Sequence, residues 1–101
     1  MADAPQVIRN ATASRFEVGS DDALATLSYY ERKDHITLVH TEVPPACEGK
    51  GFGSMLARAA FDYAKDTGLR VIPACSFIRS FLERHPEYVP LTLRNPDSEP
   101  S

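Results

Sequence analysis

Basic residues are in short supply: 11 Lys and Arg stand against 14 Asp and Glu, a net charge of −3. The cationic face that general nucleic-acid binding relies on is therefore not expected. Long apolar runs are missing too. No stretch approaches the roughly 20 residues that span a bilayer, and residues 1–20 show neither the charged start nor the apolar middle of a signal peptide. Cysteine is scarce, and Cys47 and Cys75 are too few for a disulfide scaffold and too far apart for a CxxC pair. His35, His40 and His85 lack ligand spacing with one another or with the cysteines, so no metal site is expected. What remains is a cytoplasmic monomer with two free thiols and no nucleic-acid or membrane partner. The 101 residues, 43% of them hydrophobic, suit one domain over 1–101 with a radius of gyration of about 13 Å. An ordered core is expected over about 7–93, with frayed ends where residues 1–6 and 94–101 lack apolar anchors.

The first half of the chain has strand patterning. Arg15-Phe16-Glu17-Val18 alternates polar and apolar, and Gly19-Ser20-Asp21-Asp22 is turn chemistry. Ala23 to Glu31 is a second strand, and Lys33-Asp34 turns the chain into a third from His35 to Val43. That third strand holds apolar residues on both faces, so both are expected to be partly covered. Short turns imply an antiparallel meander, which Pro44-Pro45 ends because neither residue can donate to a ladder. The second half changes period. Phe52, Met55, Leu56, Ala59, Ala60, Tyr63 and Ala64 recur at helical spacing, which predicts an amphipathic helix from about Gly51 to Thr67 closed by Gly68. Leu69 to Cys75 is a short buried strand broken by Pro73. A second helix covers Ser76 to Arg84, with Ser76 as N-cap, core residues Phe77, Ile78, Phe81 and Leu82, and a stop at His85 before Pro86. Strand, helix, strand over residues 35–75 is a βαβ unit with a right-handed crossover. The expected fold is α/β: a mixed sheet with an N-terminal antiparallel meander, a βαβ unit and two packed helices.

The chemistry lies in Glu48-Gly49-Lys50-Gly51-Phe52-Gly53-Ser54. Inside a helix each glycine costs up to about 1 kcal/mol against alanine. Their use here is to let N–H groups approach an anion at the positive end of the helix dipole, and a phosphate or pyrophosphate is the natural ligand. The plain alternative is a turn that merely permits a tight strand-to-helix connection. The order of residues departs from a Walker A loop, because Phe52 follows Gly51, and from GxGxxG, because Gly49, Gly51 and Gly53 alternate.

This loop resembles the pyrophosphate loop of the GCN5-related N-acetyltransferase (GNAT) superfamily, Gln/Arg-x-x-Gly-x-Gly/Ala, matching at Gly51 and Gly53. The wider run His40-Thr41-Glu42-Val43-Pro44-Pro45, with Val71-Ile72-Pro73-Ala74-Cys75 and His85-Pro86-Glu87-Tyr88, is similar to the small single-domain members of that superfamily over residues 14–91. The resemblance implies a reduced GNAT (acyl-CoA N-acyltransferase) fold without the usual first helices and last two strands. It implies that the third and fourth strands splay and that the pantetheine arm of coenzyme A enters between them, with Pro73 removing a ladder donor where the sheet opens. It further implies that the backbone around Val43 holds pantetheine and that the N–H groups of Gly49, Lys50, Gly51, Phe52, Gly53 and Ser54 hold the pyrophosphate. One residue departs from the pattern: Glu48 stands where relatives commonly carry Arg or Gln. Lys50 and Arg58 offset it, and residues 49–85 hold six Lys/Arg against three Asp/Glu, while residues 1–48 hold four against eight.

The implied activity is transfer of an acetyl group from acetyl-CoA to an amine whose identity the sequence does not specify. The alternatives are a CoA or acyl-CoA binding module with little or no turnover, and a phosphate-loop binder of another nucleotide. Cys75, just before a helix N-terminus where a thiol pKa falls, is the candidate acyl-accepting nucleophile or the acid that reprotonates CoA thiolate. Burial in the core is its other reading, and Cys47 is a weaker candidate. His40 is a candidate base for the amine, through water, or a hydrogen-bonded structural histidine. Tyr88 is a candidate to protonate the leaving thiolate, but packing of the C-terminal segment is the stronger reading of the His85–Tyr88 turn.

Overall fold

The computed structural model describes residues 6–20 and 23–92. Of the expected turn Gly19-Ser20-Asp21-Asp22, the last two residues lie outside them, and Gly19 and Ser20 instead pair as strand with Leu24 and Ala23. Residues 1–5 and 94–101 of the expected frayed ends also lie outside. Five strands form one sheet in chain order: β1 (Ile8–Asn10), β2 (Arg15–Ser20), β3 (Ala23–Glu31), β4 (His35–Glu42) and β5 (Arg70–Pro73). β1 through β4 pair antiparallel, and β5 pairs parallel to β4. Helix α1 (Phe52–Thr67) makes the crossover, and α2 (Ser76–Arg84) follows β5. Short 3-10 turns at Pro45–Cys47 and Pro86–Leu91 complete the chain order. The mixed sheet with two packed helices is the expected architecture. β1 is an addition: three residues with no strand patterning of their own, held by pairing with Phe16 and its neighbours.

The sheet buries one face. Phe16 and Val18, then Ala25, Leu27 and Tyr29, then Ile36 and Leu38 alternate along their strands and are at most 3% exposed, as period-2 geometry requires. α1 lays Leu56, Ala57, Ala60, Phe61 and Ala64 on that face, and α2 adds Ile78 and Phe81 beside it. The Phe61 and Phe81 rings stack at 6.0 Å between the helices. α1 ends at Gly68 in the left-handed region, φ 75°, with Leu69 N–H returning to Ala64 O at 2.8 Å, the glycine C-cap that the sequence marks. The other face of β4 carries half-buried Thr37 and Val39, and among the described residues no helix lies over it.

One irregularity sets the site. Tyr29 pairs with Leu38, but Ser28 pairs with His40, so Val39 is an extra residue on β4. A bulge of this kind reverses which face each later residue takes. Thr41, opposite buried Leu27, joins the core side, and His40, opposite Ser28, is exposed on the outer side.

Candidate active site

Pro44 and Pro45 end β4 and start a tight turn. Cys47 N–H donates to Pro44 O (2.8 Å), Glu48 N–H to Pro45 O (3.2 Å) and Lys50 N–H to Cys47 O (3.3 Å). Gly49 and Gly51 then take φ of 82° and 77°, where a side chain costs roughly 1–2 kcal/mol. Gly51 is the N-cap of α1 and offers no side chain to cap it. Met55 N–H closes onto Gly51 O at 3.0 Å, while the N–H groups of Gly49, Gly51, Phe52, Gly53 and Ser54 have no acceptor among the described residues. These donors cluster at the positive end of a 16-residue helix.

They border an open groove of about 220 Å³. Of the residues the sequence assigned to cofactor binding, Val43, Gly49, Gly51, Phe52, Gly53 and Ser54 line it, together with Cys47, Glu48 and Phe77. Lys50, Pro73 and Cys75 do not. Lys50 is exposed beside the turn, which leaves Glu48 as the charged residue of the lining. Cys47 is buried rather than placed in a polar loop, its Sγ directed at Ala23 O (3.6 Å). Phe77 is not the plain core residue its helical position suggested. It is half-buried, and its ring covers Gly53.

The sheet opens beside this groove. Pairing of β4 with β5 stops at Leu38 and Pro73, and Ala74 N–H makes the last link to Leu38 O at 3.1 Å. β4 continues to Glu42, so among the described residues its final positions have no strand partner on that side. Pro73 sits at the divergence, as a residue without an N–H should. Arg79 Nη1 donates to the carbonyls of Pro73 (3.1 Å) and Ala74 (3.0 Å), satisfying acceptors where the ladder ends.

Cys75 is the N-cap of α2, one residue before the expected Ser76, because its extended backbone (φ −91°, ψ 133°) precedes the first helical turn. It is 7% exposed, with Sγ 3.4 Å from Thr41 Oγ1. Burial pushes the thiol pKa up. The Thr41 hydroxyl and the N–H groups of Ile78, Phe77 and Thr41 pull harder in the other direction, so it lies below its ordinary value. No side-chain cap hydrogen bond is formed at this helix start. Thr41 and Phe77 are the site residues that sequence reasoning missed. A threonine in a strand carries no signal of its own, and Phe77 fits a helical core stripe.

His40 is not brought to Cys75: the bulge turns it to the outer face, beside Ser28, with Glu42 two residues on. His85 and Tyr88 pack instead of reaching the groove. Tyr88 stacks 5.1 Å from Phe61, and His85 lies 4.5 Å from Phe81. Among the described residues no three His, Cys, Asp or Glu side chains converge, and no helix is long and apolar enough to cross a membrane.

A mixed sheet that opens at its parallel pair, with a glycine turn starting the crossover helix, is the layout of an N-acetyltransferase of the GCN5-related class. Residues 15–91 match the profile of the GCN5-related N-acetyl-transferase family, and the chain belongs to that family. It is similar to Protein NATD1 of Bos taurus, 37% identical over 68 residues, which are 67% of this chain and 60% of the bovine protein. It is also similar to NATD1 of Danio rerio, 36% identical over 73 residues, covering 70% of this chain and 66% of the relative. The chain thus spans about three fifths to two thirds of these relatives. Among solved structures, a GCN5-like candidate N-acetyltransferase from Staphylococcus aureus superposes with a TM-score of 0.69 at 26% identity, covering 94% of both chains.

Proposed function

We propose that the protein binds acetyl-CoA across the glycine turn and the open edge of β4, and transfers the acetyl group to an amine. The observation that carries this reading is the set of five N–H groups without acceptors, clustered at the start of α1 on an open groove. A pyrophosphate supplies acceptors for them, and helix N-termini favour such anions. The open edge of β4 suits the pantetheine amides, which can pair as a strand does. Glu48 opposes this fit electrostatically, so affinity rests on N–H donors and pantetheine contacts.

Cys75 is the proposed nucleophile. Its thiolate attacks the thioester carbonyl carbon, a Cys75–acetyl bond forms, and the bond to the CoA sulfur breaks with CoA leaving as thiolate. The amine then attacks the acetyl-cysteine, the carbon–Sγ bond breaks, and the thiolate is restored. The amine proton passes to water, because His40 lies on the outer face of the sheet and does not reach Cys75. A second reading is CoA binding without turnover, favoured by the outer face of the sheet, where among the described residues no helix forms walls for an acceptor.

Titration of labelled protein with acetyl-CoA tests binding. Amide shifts should concentrate at Gly49 to Ser54, Val43 and Val71 to Cys75. No shifts at millimolar ligand, or shifts confined to residues 15–31, would sink the assignment. Turnover with a panel of amines separates transfer from binding alone, and an acetyl mass mapped to Cys75 and absent in Cys75→Ala separates a nucleophile from an acid.

A further inference from the structure

We infer that Thr41 is a positioning residue for this site: turned toward Cys75 by the bulge at Val39, its hydroxyl donates to the sulfur and holds the side chain ready for acyl attack. The inference rests on the reading of Cys75 as nucleophile and extends it to a residue with no reactive chemistry of its own.

The bulge is what makes it possible. In an unbroken β4, the alternation that buries Ile36 and Leu38 would continue to His40 and send Thr41 outward. With Val39 extra, Thr41 stands opposite Leu27 on the buried side, and His40 stands opposite Ser28 on the outer side. A neutral hydroxyl therefore faces the sulfur where an imidazole would have been. Thr41 Oγ1 and Cys75 Sγ are 3.4 Å apart, and the hydroxyl has no other partner among the described residues. Threonine is branched at Cβ and stiff at χ1, which keeps the hydroxyl aimed. The pair links β4 to the start of α2 just past the point where β4 and β5 part, so it fixes Sγ beside the opening where a thioester would enter.

The charged groups around the pair are placed differently. Arg79 on α2 is tied to the carbonyls of Pro73 and Ala74. His40 and Glu42 flank Thr41 on the outer face, and Glu48 and Lys50 are exposed on the glycine turn. Thr41 keeps its proton throughout the two transfer steps. Its hydrogen bond strengthens whenever the electron pair is on sulfur and weakens while sulfur carries the acetyl group.

The test is the pH dependence of Cys75 alkylation by iodoacetamide, read on the tryptic peptide 71–79, which holds Cys75 and not Cys47. Thr41→Val and Thr41→Ala should raise the midpoint by about one pH unit, and Thr41→Ser should keep it where it is. Two truncations are used so that the failure of one to fold leaves the other to report. A merely structural role would change the plateau rate at every pH without moving the midpoint. An unmoved midpoint in the folded truncation, or a Thr41→Ser midpoint displaced as far as that of Thr41→Val, would overturn the inference. Alkylation needs no CoA, so the two readings fail separately. Shifted midpoints in a protein that never forms acetyl-Cys75 would remove the nucleophile and with it the catalytic purpose of Thr41. An adduct with unmoved midpoints would remove Thr41 alone.

Discussion

Gly53→Ala isolates the contact between the glycine turn and α2. Gly53 is buried at the second position of α1 with ordinary helical backbone, and a Cβ there would meet Phe77 Cζ at 2.6 Å and both Cε atoms at 3.2 Å. Carbon atoms settle about 3.5–4.0 Å apart, so the ring must retreat by roughly 1 Å. Phe77 borders the open groove, and the groove is where the ring can go. Alanine returns about 0.5–1 kcal/mol of helix propensity, whereas overpacking costs about 1–3 kcal/mol. The net expectation is a loss of about 0–2.5 kcal/mol, or up to some 10–20 °C in Tm at about 4–8 °C per kcal/mol. In a Phe77→Leu background the ring tip is gone, and the same Gly53→Ala change should become neutral or stabilising. Thermal or urea denaturation of the four proteins gives the coupling directly. Acetyl-CoA binding should weaken in Gly53→Ala, where the displaced ring fills the groove, and recover in the double variant. Equal changes in stability from Gly53→Ala in both backgrounds would refute the reasoning.

Two further expectations concern charge. Replacing Glu48, the charged residue of the groove lining, should tighten acetyl-CoA binding, by about two- to tenfold for Glu48→Gln and somewhat more for Glu48→Arg, with the gain shrinking as salt rises. Calorimetric titration at two ionic strengths checks it, and weaker binding of Glu48→Arg at low salt would mean that Glu48 orders the turn instead. The Glu17 carboxylate takes hydrogen bonds from Arg15 (2.6 Å) and Asn10 (3.1 Å), which hold its pKa below the ordinary range. A depressed folded-state pKa gives stability that is present above the unfolded value, about 4.3, and lost as pH falls through the folded one. Melting temperature should therefore fall less between about pH 5 and pH 3 in Glu17→Gln than in the parent protein, and equal slopes would contradict it.

Local signals made much of this protein legible in its sequence. α1 follows from apolar residues at helical spacing and a closing glycine, and both are properties of neighbours along the chain. The parallel pairing of β4 with β5 follows from the length of the connection between them. The glycine turn is legible because only backbone freedom and N–H approach explain glycines at 49, 51 and 53, two of which take positive φ. The family resemblance rests on those same residues.

Other features depended on partners distant in sequence. β1 is a strand only because β2 offers it an edge, since three residues cannot hold an extended shape alone. The bulge at Val39 is a mismatch between β3 and β4, invisible in either strand by itself, and it decides that Thr41 rather than His40 faces Cys75. Phe77 fits a core stripe by periodicity, and only the packing of α2 against α1 sets its ring over Gly53 at the groove. Periodicity assigns each side chain a face of its own element, but register and helix docking decide what that face meets, and those are settled by the whole fold at once.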